Sequence, residues 1–354
     1  MEYILKVDTL RERLELVNLL SRILVELPLE ALHKQWFQRR AWVRSVHGTT
    51  HIEGNTLSDE EVDEVLVYGP AGYSRREALE VLWTREAMQL VDELANQTLV
   101  AADEALIREI HRRVLQDINP LLAPGEYRKG ENRIIDGEGN LIFSTPPSGD
   151  VPDLMHRFGA WLRSGCDNHP APIAAGLAHL ELVAIHPFYD GNGRTSRALV
   201  RFLLQQQGYD FQGLVSLDAQ LDRNRLPYFA AIRGSAGQHY QRGYDATAFV
   251  GYFLGALAQA ATHTLQRLHR FIAMVSELKA EASEGQLPPR AVDPLAFTWV
   301  NRTIQPSQYR EISGRAPQRA SGDLRRLVEA GYLEPAQGQT RRRRHRIGPR
   351  LEQM

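Results

Sequence analysis

What this chain of 354 residues lacks narrows its setting before any motif is considered. It has one cysteine, Cys166, so no internal disulfide can form, and that usage fits a reducing compartment. Neither sign of charge dominates. Lys and Arg number 42 against 43 Asp and Glu, a formal net charge of −1, so there is no global pull toward nucleic acid or a membrane surface, and any charged partner is met locally. No uncharged apolar run is long enough to cross a bilayer, and the first residues lack the basic-then-apolar order of a secretory leader. A cytoplasmic protein is the expectation, with room for two or three domains and a sizeable core.

What is present concentrates in residues 186–197, HPFYDGNGRTSR, where nearly every side chain has a use in phosphate chemistry. Gly191 and Gly193 flank Asn192 and free the local backbone to turn its amides into an anion-binding nest. The chain then enters a helix, whose first N–H groups and positive dipole end suit a phosphate. Arg194 and Arg197 lie three apart, on one side of the first turn, where both guanidinium groups can fork onto phosphate oxygens. Asp190 offers a hard oxygen for Mg²⁺, and His186, at the end of an apolar helix, can accept a proton near neutral pH. Phe188 is expected to anchor the loop in the core. Singly, each residue has a bland use as a helix end, a turn or a solvated charge; jointly they read as a nucleotide site.

The full pattern, H-P-F-x-D-G-N-G-R-x-x-R, resembles the signature of the Fic family, whose members mostly transfer AMP from ATP to a protein hydroxyl. The resemblance implies His186 as general base and Asp190 as Mg²⁺ ligand. It implies Gly191, Asn192 and Gly193 as the α/β-phosphate cradle, and Arg194 and Arg197 as holders of the β- and γ-phosphates. Tyr228 corresponds to an aromatic that the family places near the ribose or base, with core packing an equal reading.

A second stretch, at 49–55, ends a helical segment, with Gly54 and Asn55 as a left-handed stop. Thr49 and Glu53 share a helix face, and a glutamate at a helix C-terminus, where the dipole prefers cations, is better explained by an arginine partner elsewhere. The run matches the Fic inhibitory motif, [Ser/Thr]-x-x-x-Glu-[Gly/Asn], at Thr49, Glu53 and Gly54. The resemblance makes Arg197 the partner, so the expectation is autoinhibition: Glu53 occupies the fork meant for the γ-phosphate.

Along the chain, apolar spacing predicts helices over about 10–32 and through Trp36 to Val43, a capping box at Ser58 and Glu61, and helices over 75–94, 103–116, 151–162 and 172–185. His111 and His179 read as structural histidines. Ile134 and Ile135, then Leu141, Ile142 and Phe143, form two short strands about a Gly-rich turn at 136–140, similar to the Fic flap, which docks a target segment by strand addition. One long helix is expected over 246–280, then a linker. The remainder suggests a helix-turn-helix with a terminal hairpin, similar to the winged-helix tails of bacterial Fic proteins, with a basic run at 341–346.

The expected fold is mainly α: an N-terminal helical region (1–95) carrying the inhibitory motif, a Fic-type helical core with a β-hairpin flap (96–280), a linker (281–290) and a winged-helix-like domain (291–354). The expected function is a protein adenylyltransferase using ATP and Mg²⁺ on a Ser, Thr or Tyr hydroxyl of a target protein or of the chain itself. Two other readings stay open: a hydrolase that removes AMP with the help of Glu53, and a DNA-binding regulator in which the Fic chemistry is secondary. The expected partners are a target protein, DNA or protein at the tail, and a second copy of the chain; no membrane is among them.

Overall fold

The helix α7 (Ala171–Ile185) is apolar on every side and correspondingly buried all round, with Ile173, Leu177, Leu180, Leu182 and Ile185 fully or almost fully covered. Pro172 opens it, where a missing N–H costs nothing, and His186 closes it in the left-handed conformation at φ 51°. After five more residues the chain starts α8 (Asn192–Gln206), capped by Gly191 at φ 76°. α8 packs on α7 and is itself buried along most of its length, Asn192, Arg194 and Arg197 included. The loop between them is therefore fixed at both ends by core helices.

The computed structural model describes residues 1–97, 100–135, 141–164, 166–336 and 344–354. In chain order the remaining helices are α1 (Arg11–Glu26), α2 (Ala31–Ile52), α3 (Asp59–Tyr68), α4 (Arg75–Ala95), α5 (Glu104–Val114), α6 (Val151–Ser164), α9 (Leu217–Arg223), α10 (Arg225–Ala236) and α11 (Thr247–Ser283), then α12 (Val292–Asn301), α13 (Pro306–Ser313), α14 (Pro317–Glu329) and α15 (Pro349–Gln353). The strands are short: β1 (Tyr3–Ile4), β2 (Arg133–Ile135), β3 (Leu141–Ser144), β4 (Tyr244–Asp245), β5 (Thr303–Ile304), β6 (Leu333–Pro335) and β7 (His345–Ile347). The fold is mainly α, as expected. The helix expected over 10–32 is two: Pro28 drives Leu27 to extended backbone (ψ 120°), so α1 stops at Glu26 and α2 starts afresh. The capping box at Ser58 and Glu61 opens α3, both reciprocal bonds being present.

The chain divides into two compact units, one of Met1–Leu27 and Ala41–Ala261, the other of Pro28–Arg40 and Thr262–Met354. In the first, α8 packs on α4, α5 and α7, while β2 and β3 form an antiparallel hairpin with a register shift between Ile134 and Ile135. In the second, Trp36, Phe37, Phe271 and Phe297 meet edge to face, and α13 and α14 pack beside an antiparallel sheet of order β5-β7-β6. The turn at 136–140 and the arginines at 341–343 lie outside the described residues. Among the described residues no helix is long and apolar enough to cross a membrane.

Candidate functional site

His111 of α5 sets the floor of the loop. Its ring stacks flat on Phe188, centroids 3.6 Å apart, its Nδ1 accepts the Gly125 N–H and its Nε2–H donates to the Asp190 carbonyl, each at 2.9 Å. Burial pushes this imidazole down to about 4, so at neutral pH it is an uncharged linker. Asn192 closes the loop across its mouth: its side-chain oxygen accepts from Phe188 N–H (3.0 Å) and its amide donates to the Phe188 carbonyl (2.9 Å). The side chain is spent on the loop, and what remains to meet an anion is backbone N–H at the start of α8, which has no partner inside the helix.

The two arginines have different surroundings. Arg194 is 3% exposed; its Nη2 stands 3.5 Å from Asp190 Oδ1, and its Nε and Nη1 have no hydrogen-bond partner among the described residues. Arg197, 5% exposed, is engaged through Nε and Nη2 by the end of α2 and the turn beyond it. Its Nε donates to Thr49 Oγ1 (2.7 Å), and its Nη2 donates to the Thr49 carbonyl (2.9 Å) and to Glu53 Oε1 (2.8 Å), with Asp218 Oδ1 3.7 Å from Nε. Burial alone would lower the pKa of this guanidinium; Glu53 and Asp218 more than offset that and raise it. Thr49 and Glu53 thus meet Arg197, which lies 148 and 144 residues away in sequence.

Glu53 sits in the turn just beyond α2, where Gly54 takes φ 97°. Asn55 ties that turn to α4 by donating to the Glu77 carbonyl (3.0 Å) and to Glu80 Oε2 (3.1 Å). On the other side, His51 Nδ1 lies 2.7 Å from Asp222 Oδ1, and the Arg225 guanidinium donates to the His51 carbonyl (3.2 Å). Gly48 has to be glycine. A Cβ there would stand 2.7 Å from the Asp218 carbonyl carbon, so the missing side chain lets α2 lie directly on the start of α9.

His186, half-buried, places Nδ1 3.4 Å from the Val183 carbonyl, and burial pushes its ring down to about 4. Its Nε2 is then a lone-pair acceptor at neutral pH. Asp190 is partly open, and its Oδ1 already accepts the Gly191 N–H at 2.6 Å. A single hard carboxylate of this kind fits Mg²⁺, which takes one or two protein carboxylates plus substrate phosphates. Among the described residues no cluster of three or more His, Cys, Asp or Glu side chains could hold a metal by itself.

Tyr228 is corrected. It is 1% exposed in the core, its hydroxyl 2.7 Å from His179 Nε2, and burial pushes its pKa up to about 12. It offers no surface to a base; it supports His179, whose Nδ1 in turn meets Ser196 Oγ on α8 at 2.5 Å. Of the flap residues, Phe143 points into the core at 6% exposure, whereas Leu141 is exposed and Ile134 and Ile142 are half-buried. Ser144 already pairs with the backbone of Gln238 and Tyr240 (2.8 and 3.0 Å), so this end of β3 is not a free edge.

Sequence reasoning passed over Arg128. It is 2% exposed and bonds main-chain carbonyls of both the loop and the flap, and nothing in a single sequence separates it from a strand arginine. Tyr189, whose hydroxyl accepts the Lys129 and Gly130 N–H groups (3.1 and 2.9 Å), was passed over too.

The Fic/DOC family profile matches residues 101–204. Among curated proteins, the chain is 39% identical over 179 residues to a protein adenylyltransferase Fic of Drosophila ananassae, and 37% identical over 180 residues to one of Aedes aegypti. Each match covers 49% of this chain and 34% of the relative, so the chain spans about a third of the length of these relatives. Among solved structures, a Fic family protein from Desulfovibrio desulfuricans shares the fold with a TM-score of 0.63 at 21% identity, over 96% of both chains. Fic-1 from C. elegans (aa134–508) gives a TM-score of 0.61 at 24% identity, over 75% of this chain and 74% of that one. Over residues 101–204, which carry the loop between α7 and α8, the chain is therefore similar to the Fic/DOC family.

Proposed function

We propose that the chain is a protein adenylyltransferase that moves AMP from ATP to a hydroxyl of a target protein and is held back by its own Glu53. The observation that carries the reading is the asymmetry of the two motif arginines. Arg194 is buried with Nε and Nη1 unspent among the described residues, while Nη2 of Arg197 is taken by the Glu53 carboxylate from another part of the chain. Buried guanidinium N–H groups left without acceptors are costly, and phosphate oxygens at the α8 N-terminus would satisfy them. When Glu53 swings away, Arg197 becomes the second phosphate holder.

In this reading Asp190 would hold Mg²⁺, which would neutralise phosphate charge. His186 Nε2 takes the proton of the target hydroxyl, the oxygen bonds to the α-phosphorus, and the bond to pyrophosphate breaks with its electron pair leaving on the pyrophosphate oxygen. The hairpin β2–β3, chiefly by its main chain, would hold the target segment, and the chain itself is a candidate target.

The test is labelling with α-labelled ATP and Mg²⁺, comparing the parent chain, Glu53→Gly, and Glu53→Gly combined with His186→Ala. Glu53→Gly is expected to raise transfer by at least tenfold, to the chain itself or to a discrete band of a cell lysate, and the double variant to abolish it with ATP binding kept. A Glu53→Gly protein no faster than the parent sinks the autoinhibited reading. Release of AMP from a modified protein that requires Glu53 would move the assignment to the hydrolase.

A second activity rests on α14. Its buried side is Ala320, Asp323, Leu324 and Leu327, and its exposed side carries Gln318, Arg319, Ser321, Arg325 and Arg326. A helix with exposed cations and short polar side chains facing out, beside a small antiparallel sheet, supports a winged-helix-like contact with DNA.

A further inference from the structure

Arg128 is a buried cation whose hydrogen bonds go to main-chain carbonyls. Its Nε donates to the carbonyl of His186 (2.9 Å), its Nη1 to that of Gly130 (3.1 Å) and its Nη2 to that of Pro146 (2.6 Å), while its own N–H donates to the Pro187 carbonyl (2.9 Å). Gly130 lies just before β2 and Pro146 just after β3, so one guanidinium joins both ends of the hairpin to the residue we assign as the base.

Two features make this more than a packing contact. Carbonyls are weak compensation for a desolvated charge, so the arrangement is retained against a cost. His186 also stands at φ 51°, in the left-handed region that a residue with a Cβ seldom adopts, and Arg128 holds the carbonyl that this conformation presents. Further bonds stiffen the same frame: Thr145 Oγ1 donates to the Asn132 carbonyl (2.7 Å), and Tyr189 accepts from Lys129 and Gly130.

We propose that Arg128 is a positioning residue for transfer, a clamp that keeps the flap at one distance from the His186 main chain, so that a hydroxyl docked along the hairpin arrives in line with the base. The proposal rests on the adenylyltransferase reading for its kinetic consequence, and on geometry alone for the coupling of hairpin to loop. Arginine is required because only its planar fork serves three carbonyls in three directions. Lysine in the same place can reach one.

The test uses the full chain in the Glu53→Gly background, with Arg128→Lys and Arg128→Gln. Both variants are expected to keep the affinity for a fluorescent ATP analogue within twofold and to lose about 100-fold in kcat for transfer, the scale of an ångström of misplacement. Free guanidinium is expected to restore part of the loss in Arg128→Gly, which a merely packed side chain would not show. Independently of activity, amide hydrogen exchange is expected to quicken at 133–135 and 141–144 while α7 and α8 stay protected. Unchanged kcat in both variants overturns the clamp. So does exchange that quickens equally throughout α7 and α8, the mark of general loosening. If Glu53→Gly itself transfers nothing, the functional reading fails, and the exchange comparison still decides the coupling: hairpin amides as slow as the parent's overturn it.

Discussion

At the scale of single residues, Gly193 shows how tightly the contact between Glu53 and Arg197 is drawn. A Cβ there would stand 2.0 Å from Glu53 Oε1 and 3.0 Å from Arg197 Nη1, so the carboxylate reaches its arginine across a position that has to be bare. Gly193 sits within the first turn of α8, where alanine is the better helix former by up to about 1 kcal/mol. The sign of Gly193→Ala therefore depends on Glu53. In the parent chain it is expected to destabilise by roughly 1–2 kcal/mol, the scale of a charge-assisted hydrogen bond lost with one partner partly in solvent. In the Glu53→Gly chain it is expected to be neutral or slightly stabilising. Denaturant unfolding of the four proteins measures the difference, and equal effects in both backgrounds would mean that Glu53 does not rest on Arg197 in solution. Thr49, Glu53 and the arginines stood out in sequence through their resemblance to the two Fic motifs, with spacing in support. Arg128 and Asp218 did not, since their roles come from partners brought together only by the fold.

At the scale of elements, the long periodic helices and the hairpin β2–β3 were readable, and the two-residue strands β1, β4 and β5 were not. α7 declared itself by being apolar on every side, and the break at Leu27 follows from the proline behind it. Tyr228 was left between two readings, and core packing holds, because an aromatic near a motif looks the same in sequence whether its ring faces a ligand or, as here, a histidine in the core. In α14 the sequence offered four arginines, and the structure sorts them. Arg315, just ahead of the helix, is spent on Asp323 at 3.1 Å, while Arg319, Arg325 and Arg326 lie on the exposed side. If that side meets DNA, the full chain is expected to bind duplex with an affinity that falls with salt. Arg319→Ala with Arg325→Ala is expected to lower the slope of log K against log salt by about two. Fluorescence anisotropy from low to physiological salt reads this directly. An unchanged slope with unchanged affinity removes α14 from any contact with phosphate.

At the scale of the whole molecule, the buried histidines link the site to acid stability. His111 is fully buried, and burial is the main reason its ring is pushed down to about 4; the charges of Arg194 and Arg112 act in the same sense, and the Asp190 carbonyl and carboxylate oppose them. An unfolded histidine titrates near 6.5. Between pH 6.5 and 4 the unfolded chain therefore binds a proton at this site that the folded chain does not, and stability falls as pH falls through that window. The contribution is fully present above pH 6.5, and at roughly 1.4 kcal/mol per unit it amounts to about 3 kcal/mol across the window. His179, pushed down to about 3, acts in the same direction, whereas Glu181 and Asp218, raised by burial, act in the opposite one. Parent acid curves therefore mix signs, and the comparison that isolates His111 is with His111→Gln. That variant is expected to be less stable at pH 7, having lost the stack on Phe188, but to lose stability between pH 6.5 and 4 with a slope shallower by one proton. Urea unfolding at half-unit steps of pH decides it. A variant as steep as the parent would mean that His111 takes up its proton while folded, and the neutral bridge from Gly125 to the Asp190 carbonyl would have to be abandoned.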